Sequence, residues 1–286
     1  MEYTQQISEN QIKIALSNSG YLLENRLITL ISEQDFFVFP NEVYKDKFTG
    51  KSREIDIYAS SKRINKAINF SDTIKFIQAN MCLVIECQNI AQPIVFLKKN
   101  QKNTFTCYDK YKYFITKLNS NVDSDILHGY LEFFIQNEEF HYNSKNISTQ
   151  YCSFTQKKGG KNDWMASHPD GLYETFVKLF HFANERLKST EDFRADIQFK
   201  EFYYQMLYPV LVIQGDIYDA EEVGSEIVLT RLQRKLFEFN YFDDIPHTIL
   251  IDVVTESYFQ NYLAEIENEA NLFIKNFYEI LQDNKV

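Results

Sequence analysis

Two carboxylates lie inside segments whose residue pattern is otherwise typical of β-strands. Asp56 belongs to the segment 53–59, and Glu86 belongs to the segment 81–89. Because side chains alternate between the two faces of a strand, Glu86 shares a face with Gln88. A buried carboxylate costs free energy unless a cation compensates its charge. This pattern favours a sheet that brings the two carboxylates to a shared cation, most commonly a divalent metal ion.

The composition is that of a globular protein with a large aromatic core. The chain has 286 residues, of which 44% are hydrophobic, and it contains 25 Phe and 19 Tyr. Its formal net charge of −10 excludes a surface that is basic throughout, as a protein that binds nucleic acid nonspecifically would have. An acidic active site beside a local basic groove is compatible with this charge.

The N-terminal residues and the cysteines predict a cytoplasmic protein. Residues 1–20 lack the continuous apolar stretch of a signal peptide, and no segment has the roughly 20 apolar residues that cross a bilayer. We therefore expect no membrane partner. The cysteines form no CxxC pair, which favours reduced structural thiols; they are Cys82, Cys87, Cys107 and Cys152.

The order of predicted elements indicates an α/β fold. A helix is predicted over residues 10–33, followed by three strands and a hairpin-like turn near Gly50, and this order favours a mixed central β-sheet flanked by helices. The C-terminal half is more elaborate. Its clearest predicted elements are a helix at 170–188, a central strand at 208–214, a strand at 248–255 and a final helix at 256–281. We interpret residues 1–286 as a single domain.

Two features of the C-terminal half leave alternatives open. The final helix carries an apolar stripe that includes Phe273 and Phe277, which is typical of core packing and alternatively of a homodimer seam. Asp252 interrupts the apolar strand 248–255 without a second acidic residue beside it in sequence. We interpret Asp252 as one half of a structural ion pair.

Three sequence motifs resemble those of the PD-(D/E)XK nuclease superfamily, the restriction-endonuclease-like fold. They are Gly20-Tyr21-Leu22-Leu23-Glu24, Gly50-Lys51-Ser52-Arg53-Glu54-Ile55-Asp56 and Leu83-Val84-Ile85-Glu86-Cys87-Gln88-Asn89. The resemblance covers residues 10–97, about the first third of the chain. Each motif alone is weak, and their order, strand placement and spacing together carry the resemblance.

The resemblance implies roles for four residues. The metal-binding aspartate of the superfamily falls on Asp56, and the acidic residue of its E-x-K element falls on Glu86. The helix-borne acidic residue found in many members falls on Glu24. The lysine of the E-x-K element falls on position 88, where this chain has Gln88, as some members of the superfamily do.

The chemistry of phosphodiester hydrolysis fits these residues. One or two Mg²⁺ or Mn²⁺ ions held by hard oxygen ligands can activate water and stabilise charge on phosphorus oxygens. Asp56 and Glu86 would supply carboxylates, and the Cys87 carbonyl could add a third oxygen. Gln88 can orient water through its amide but brings no charge. The missing cation could come from one of three other lysines, Lys51, Lys98 or Lys99.

The sequence thus predicts a metal-dependent nuclease. DNA is favoured over RNA as the substrate, and defence or restriction is favoured over repair by family analogy alone. Gln88 and the negative net charge motivate an alternative, a catalytically inactive nuclease-fold protein that binds nucleic acid or another protein.

Overall fold

Two α-helices, nine strands, a third helix, five strands and a final helix follow one another along the part of the chain that the structure, a computed structural model, describes. That part comprises residues 6–46, 49–61, 64–67, 76–97, 114–118, 140–143, 146–157, 163–192, 201–242 and 246–283. Its four α-helices are α1 (Glu9–Ser17), α2 (Tyr21–Ser32), α3 (Asp170–Asp192) and α4 (Phe259–Asp283). Its strands are β1 (Phe36–Lys45), β2 (Ser52–Ser61), β3 (Ile64–Ala67), β4 (Phe76–Asn89), β5 (Ile94–Leu97), β6 (Phe114–Leu118), β7 (Ile147–Ser148), β8 (Tyr151–Gln156), β9 (Trp164–Ser167), β10 (Glu201–Gln214), β11 (Ile217–Val223), β12 (Glu226–Leu232), β13 (Arg234–Phe242) and β14 (Pro246–Thr255).

The larger sheet has nine strands and joins the two halves of the chain. Its order is β1-β2-β4-β10-β14-β13-β7, with β3 beside β4 and β6 beside β10. The first three strands in this order are antiparallel, whereas β10 runs parallel to β4 and to β14. The predicted α/β class and mixed sheet are confirmed. β2 and β4, the strands that carry the predicted motifs, lie in a sheet that strands from the C-terminal half extend.

A second mixed sheet was not predicted. It has five strands in the order β12-β11-β5-β8-β9. The predicted mixed central sheet corresponds to the larger of the two. The second sheet was missed because β11 carries three acidic residues, Asp219, Glu221 and Glu222, within seven positions. Such a segment lacks the apolar pattern by which a strand is recognised from sequence.

Helices cover both faces of the larger sheet. Glu86 and Gln88 on β4 contact side chains of α3. Leu83 points to the other face, and its neighbour in register is Tyr208, whose hydroxyl donates to Glu269 on α4. α3 and α4 therefore lie on opposite faces, as a sheet flanked by helices requires. None of the helices in the described ranges is long and apolar enough to span a membrane.

The N-terminal helical segment is divided in two, not continuous over 10–33 as predicted. α1 ends at Ser17, and Gly20 precedes the first residue of α2. A Cβ atom at position 20 would lie 3.2 Å from the carbonyl oxygen of Cys87, which is tighter than ordinary contact. Gly20 therefore lets the start of α2 approach the end of β4 closely.

The apolar stripe of the final helix is core packing. Phe273 and Phe277 are both fully buried, as are Tyr262 and Ile266 on the same helix. The stripe packs within the main hydrophobic core that also contains the central strands. This arrangement agrees with the core interpretation of the stripe and leaves none of these four side chains available as a homodimer seam.

Candidate functional site

Asp56 lies where β2 and β4 separate. The paired register of these strands ends at Ile57 and Ile85, and Asp56 and Glu86 are the next residues beyond that pair. Beyond that point, the backbone N–H of Cys87 donates to Asp56 Oδ2 over 2.8 Å. The Asp56 carboxylate thus accepts the hydrogen bond that a backbone carbonyl of a paired strand would otherwise accept, and this bond holds the carboxylate at the strand ends.

Glu86 is nearly fully buried and forms an ion pair with a lysine from α3. Lys178 Nζ donates to Glu86 Oε1 over 3.0 Å and to Oε2 over 2.8 Å. The glutamate is 3% exposed, whereas the lysine side chain is partly exposed. Because Glu86 is buried, water screens this ion pair less than it would screen one on the surface. The partly exposed lysine places a positive charge beside two carboxylates. We call Asp56, Glu86 and Lys178 the strand-end cluster.

Gln88 is fixed by the same helix. Its Nε2 donates to Thr175 Oγ1, and Thr175 in turn donates to the Gly171 carbonyl over 2.9 Å. Thr175 and Lys178 are three residues apart, so they lie on one face of α3. That face therefore contacts both polar side chains of the E-x-Q segment of β4.

Burial and neighbouring carboxylates raise the pKa values of the acidic side chains at this site. Burial and the neighbouring Asp56 raise the pKa of Glu86 to about 7, although Lys178 and the Asp56 N–H oppose the shift. Burial also raises the pKa of Asp56, against the opposing effects of the Cys87 N–H and Lys178. Burial and then Asp56 and Glu54 raise the pKa of Glu24. A further cation near these groups would be favourable.

Cys87 marks the centre of this negative region. Burial is the main cause that raises the pKa of its thiol, and Asp56, Glu24, Glu86 and Glu256 each raise it further. The N–H of a strand residue and its carbonyl point to the same side, so the Cys87 carbonyl faces the gap that holds Asp56. The thiol stays protonated at neutral pH, and only the carbonyl oxygen of this residue is suited to bind a hard cation.

The donor set fits Mg²⁺ or Mn²⁺ in its chemistry. Two carboxylates and a carbonyl are hard oxygen donors, and a divalent ion beside the carboxylates would oppose the effect of burial that raises their pKa values. Among the described side chains, however, no three of the types His, Cys, Asp or Glu converge as metal ligands. Asp56, Glu86 and the Cys87 carbonyl would therefore hold an ion largely with water as the remaining ligands, as Mg²⁺ commonly prefers.

The structure brings together the four residues that the sequence singled out. Asp56 and Glu86 influence each other electrostatically, Glu24 lies near Asp56, and Gln88 follows Glu86 on the same face of β4. Their roles stay predictions.

The cation beside Glu86 was not predicted. Lys51 is exposed in the turn before β2, and Lys98 and Lys99 lie outside the described residues. Lys178 interrupts the otherwise mostly apolar run of residues 176–182 of a predicted helix, and this interruption was the only sequence signal. Its contact with β4 depends on tertiary packing, so no motif spacing could show it.

A second polar group is built around Asp252, which is fully buried. Its Oδ2 lies 2.6 Å from His141 Nε2 and accepts from the Tyr262 hydroxyl over 3.1 Å, and its Oδ1 accepts from Arg234 Nε over 3.0 Å. Although burial acts in the opposite direction, His141 and Arg234 lower the pKa of Asp252. We call these four residues the Asp252 network. Its bonds agree with the structural interpretation of Asp252.

Comparison with known proteins adds no relative. No protein-family model, curated protein or solved structure matches the chain. The class that fold and site define is therefore an α/β protein with two mixed sheets and a carboxylate–lysine cluster at the end of a central parallel strand pair.

Proposed function

We propose that this protein is a metal-dependent nuclease that hydrolyses phosphodiester bonds, with DNA as the favoured substrate. The strand-end cluster carries the proposal, because Asp56 and Glu86 lie on neighbouring strands and Lys178 Nζ lies 2.8 Å from Glu86. The cluster lies near the carboxyl ends of the parallel strands β4 and β10, where ligands of open α/β sheets commonly bind.

Fold order supports a restriction-endonuclease-like core as part of this proposal. A helix, α2, is followed by the antiparallel strands β1, β2 and β4. The acidic motif residues fall on α2, β2 and β4, in the order that the resemblance implies. β10 and β14 from the C-terminal half then extend the sheet.

A bound Mg²⁺ or Mn²⁺ would supply an activated water and neutralise charge on the phosphate. Asp56 and Glu86 would hold the ion in their deprotonated forms, with the Cys87 carbonyl as a third oxygen donor. The Cys87 N–H fixes the orientation of Asp56, because it occupies Oδ2 and leaves Oδ1 for another partner. Glu24 contributes negative charge to the same region from α2.

Lys178 performs the role of the lysine that position 88 lacks. Its ammonium group reaches Glu86 from α3, and its partly exposed side chain can also contact a phosphate oxygen. A fixed positive charge aimed at developing negative charge is an effective contribution to catalysis. Gln88, tied to Thr175, orients water through its remaining amide oxygen.

The proposal includes a biological setting. We propose defence or restriction, with repair as the alternative, and a cytoplasmic location. The described cysteines, Cys82, Cys87 and Cys152, are free thiols, which supports a reducing compartment.

One observation favours a second candidate, a nuclease-fold protein without turnover that binds nucleic acid or protein. Both oxygens of Glu86 already accept hydrogen bonds from Lys178, so a metal must share or displace that contact. Under this candidate, the ion pair replaces the metal, and the protein binds its partner equally well with or without divalent ions.

A cleavage panel separates the two candidates. Supercoiled DNA, linear DNA, single-stranded DNA and RNA are incubated with the protein in Mg²⁺, Mn²⁺ or EDTA. Wild type runs beside Asp56→Asn and Glu86→Gln, with Glu265→Gln as a carboxylate control remote from the cluster. We expect metal-dependent cleavage that both cluster variants lose and the control keeps. Binding without cleavage, unchanged by EDTA, would favour the second candidate.

A further inference from the structure

The β11–β12 hairpin projects from the second sheet. Its two strands are joined by the turn Gly224–Ser225, and Gly224 has φ +67°, as the first central residue of a type II′ turn requires. At the base of the hairpin, the buried Asp219 accepts a hydrogen bond from Lys235 Nζ over 2.9 Å. The base is thus anchored to the protein, while the tip is not covered by the described residues.

β12 is an exposed and apolar edge strand. Among the described strands it pairs only with β11, so its other edge presents backbone N–H and carbonyl groups. Ile227 is 75% exposed, Val228 46% and Leu229 58%. Because neighbouring residues point to opposite faces, both faces of the strand are apolar here. Their partners on β11 provide little cover, since Ile227 and Val228 face glutamates.

β1, an edge strand of the larger sheet, differs from β12. β1 contains Pro40, and Asn41, with φ 51°, has no partner in the β1–β2 register. A proline in an edge strand is a device that prevents the strand from pairing with another chain. Residues 227–230 of β12 contain no proline, bulge or charged side chain. A long apolar edge without these devices is suited to pairing.

We propose that β12 is a homodimer interface, in which it pairs antiparallel with β12 of a second copy around a two-fold axis at Val228. In this register Ile227 faces the partner subunit's Leu229, and Leu229 faces the partner subunit's Ile227. Val228 faces the partner subunit's Val228 on the other face. The apolar segment is therefore complementary to itself, as an isologous interface must be.

Charge along the hairpin selects this direction of pairing. The tip is acidic, with Glu221, Glu222 and Glu226, whereas Arg231 lies near the base. Parallel pairing would place Glu226 opposite the partner's Glu226 and Arg231 opposite the partner's Arg231, which is unfavourable. Antiparallel pairing instead separates the two acidic tips and places each tip beside the base of the other hairpin, where Arg231 forms an ion pair with Asp216. The interface is independent of the proposed nuclease site.

The test is the mass of the full chain in solution. Size-exclusion chromatography with light scattering and sedimentation velocity are run over a series of protein concentrations. The double variant Ile227→Lys/Leu229→Lys places like charges opposite each other, and Val43→Lys, at an equally exposed position on β1, is the matched control. Far-UV circular dichroism checks that each variant is folded.

We expect a dimer for wild type and Val43→Lys, and dimerisation about 10–100-fold weaker for the double variant. Val228→Cys should also form an intermolecular disulfide between the two copies of residue 228, identified by peptide mass spectrometry. A wild type that is monomeric at all concentrations would overturn the proposal and leave the edge to another partner. A dimer whose affinity the double variant does not change would overturn it as well.

Discussion

Asp56 and Asp252 lie on strands of the same nine-stranded sheet, but their carboxylates have different surroundings. Asp252 is fully buried and contacts His141, Arg234 and Tyr262, and its pKa is lowered. Asp56 accepts a backbone hydrogen bond, and its pKa is raised, chiefly by burial. His141 and Arg234 outweigh the effect of burial on the pKa of Asp252, whereas at the strand-end cluster burial outweighs the effect of Lys178 on both carboxylates. The first arrangement serves stability, and the second is suited to binding a cation.

The largest expected effect is on stability at Asp252. Asp252→Ala should lower the free energy of unfolding by about 3–5 kcal/mol, because Arg234 and His141 lose the partner that compensates their burial. Asp56→Ala should lower it by about 1 kcal/mol or less, since removing excess negative charge offsets the lost hydrogen bond. Urea unfolding monitored by circular dichroism measures both changes. Equal losses in the two variants would contradict the contrast between the two regions.

The free energy of unfolding should depend on pH through the ionisation of Glu86. Its pKa is about 7 in the folded state against an ordinary value of 4.5, so the folded state binds the proton more tightly. The free energy of unfolding should therefore fall by about 1–3 kcal/mol as pH rises from 4.5 through 7. Glu86→Gln should remove this decrease.

Urea titrations of wild type and Glu86→Gln between pH 4.5 and 8 test this dependence. The contribution of Asp252 to the free energy of unfolding depends on pH in the opposite direction. Because its pKa is lowered, its contribution is present above its ordinary pKa of 3.8 and is lost as pH falls below that value. Parallel curves for wild type and Glu86→Gln over this interval would show that Glu86 titrates normally.

Divalent metal should stabilise the protein through the strand-end cluster. Excess Mg²⁺ or Mn²⁺ at pH 8 should raise the free energy of unfolding by about 1–3 kcal/mol, seen as a higher Tm in scanning calorimetry. The increase should be smaller at pH 6, where Glu86 is largely protonated, and absent in Asp56→Asn. Glu265→Gln, which removes a carboxylate beside the Asp252 network, should keep it. Equal increases in Asp56→Asn and wild type would place the metal elsewhere.

The smallest expected effect concerns Thr175. Thr175→Val keeps the size of this buried side chain but removes the acceptor of the Gln88 amide, at a cost of about 0.5–1.5 kcal/mol in unfolding free energy. If Gln88 orients water, cleavage should also fall a few-fold with KM unchanged. Unchanged kcat would restrict the Gln88–Thr175 contact to a structural role.

The local parts of the fold were predictable from sequence. The strand pattern around Asp56 and Glu86, the helix from Asp170 and the apolar stripe of the final helix all follow from short-range periodicity. The acidic strand β11 does not, because its position is fixed by pairing with β5 and β12. The second sheet was therefore missed.

The site was predictable only where its residues belong to sequence motifs. Asp56, Glu86 and Gln88 are found by their positions on two strands, whereas Lys178 lies 92 residues after Glu86. A contact between a helix side chain and a strand that is distant in sequence has no fixed residue spacing by which it could be recognised. The same limit applies to Asp252, whose partners His141 and Arg234 come from separate segments.

Relocating the lysine tests the central claim, that Lys178 supplies the cation which Gln88 cannot. Single-turnover cleavage of supercoiled DNA in Mg²⁺ is measured for wild type, Lys178→Met, and the double variant Lys178→Met/Gln88→Lys. We expect Lys178→Met to cleave about 10²–10³-fold more slowly and the double variant to recover at least about tenfold of that loss. Cleavage by folded Lys178→Met at the wild-type rate would contradict the account.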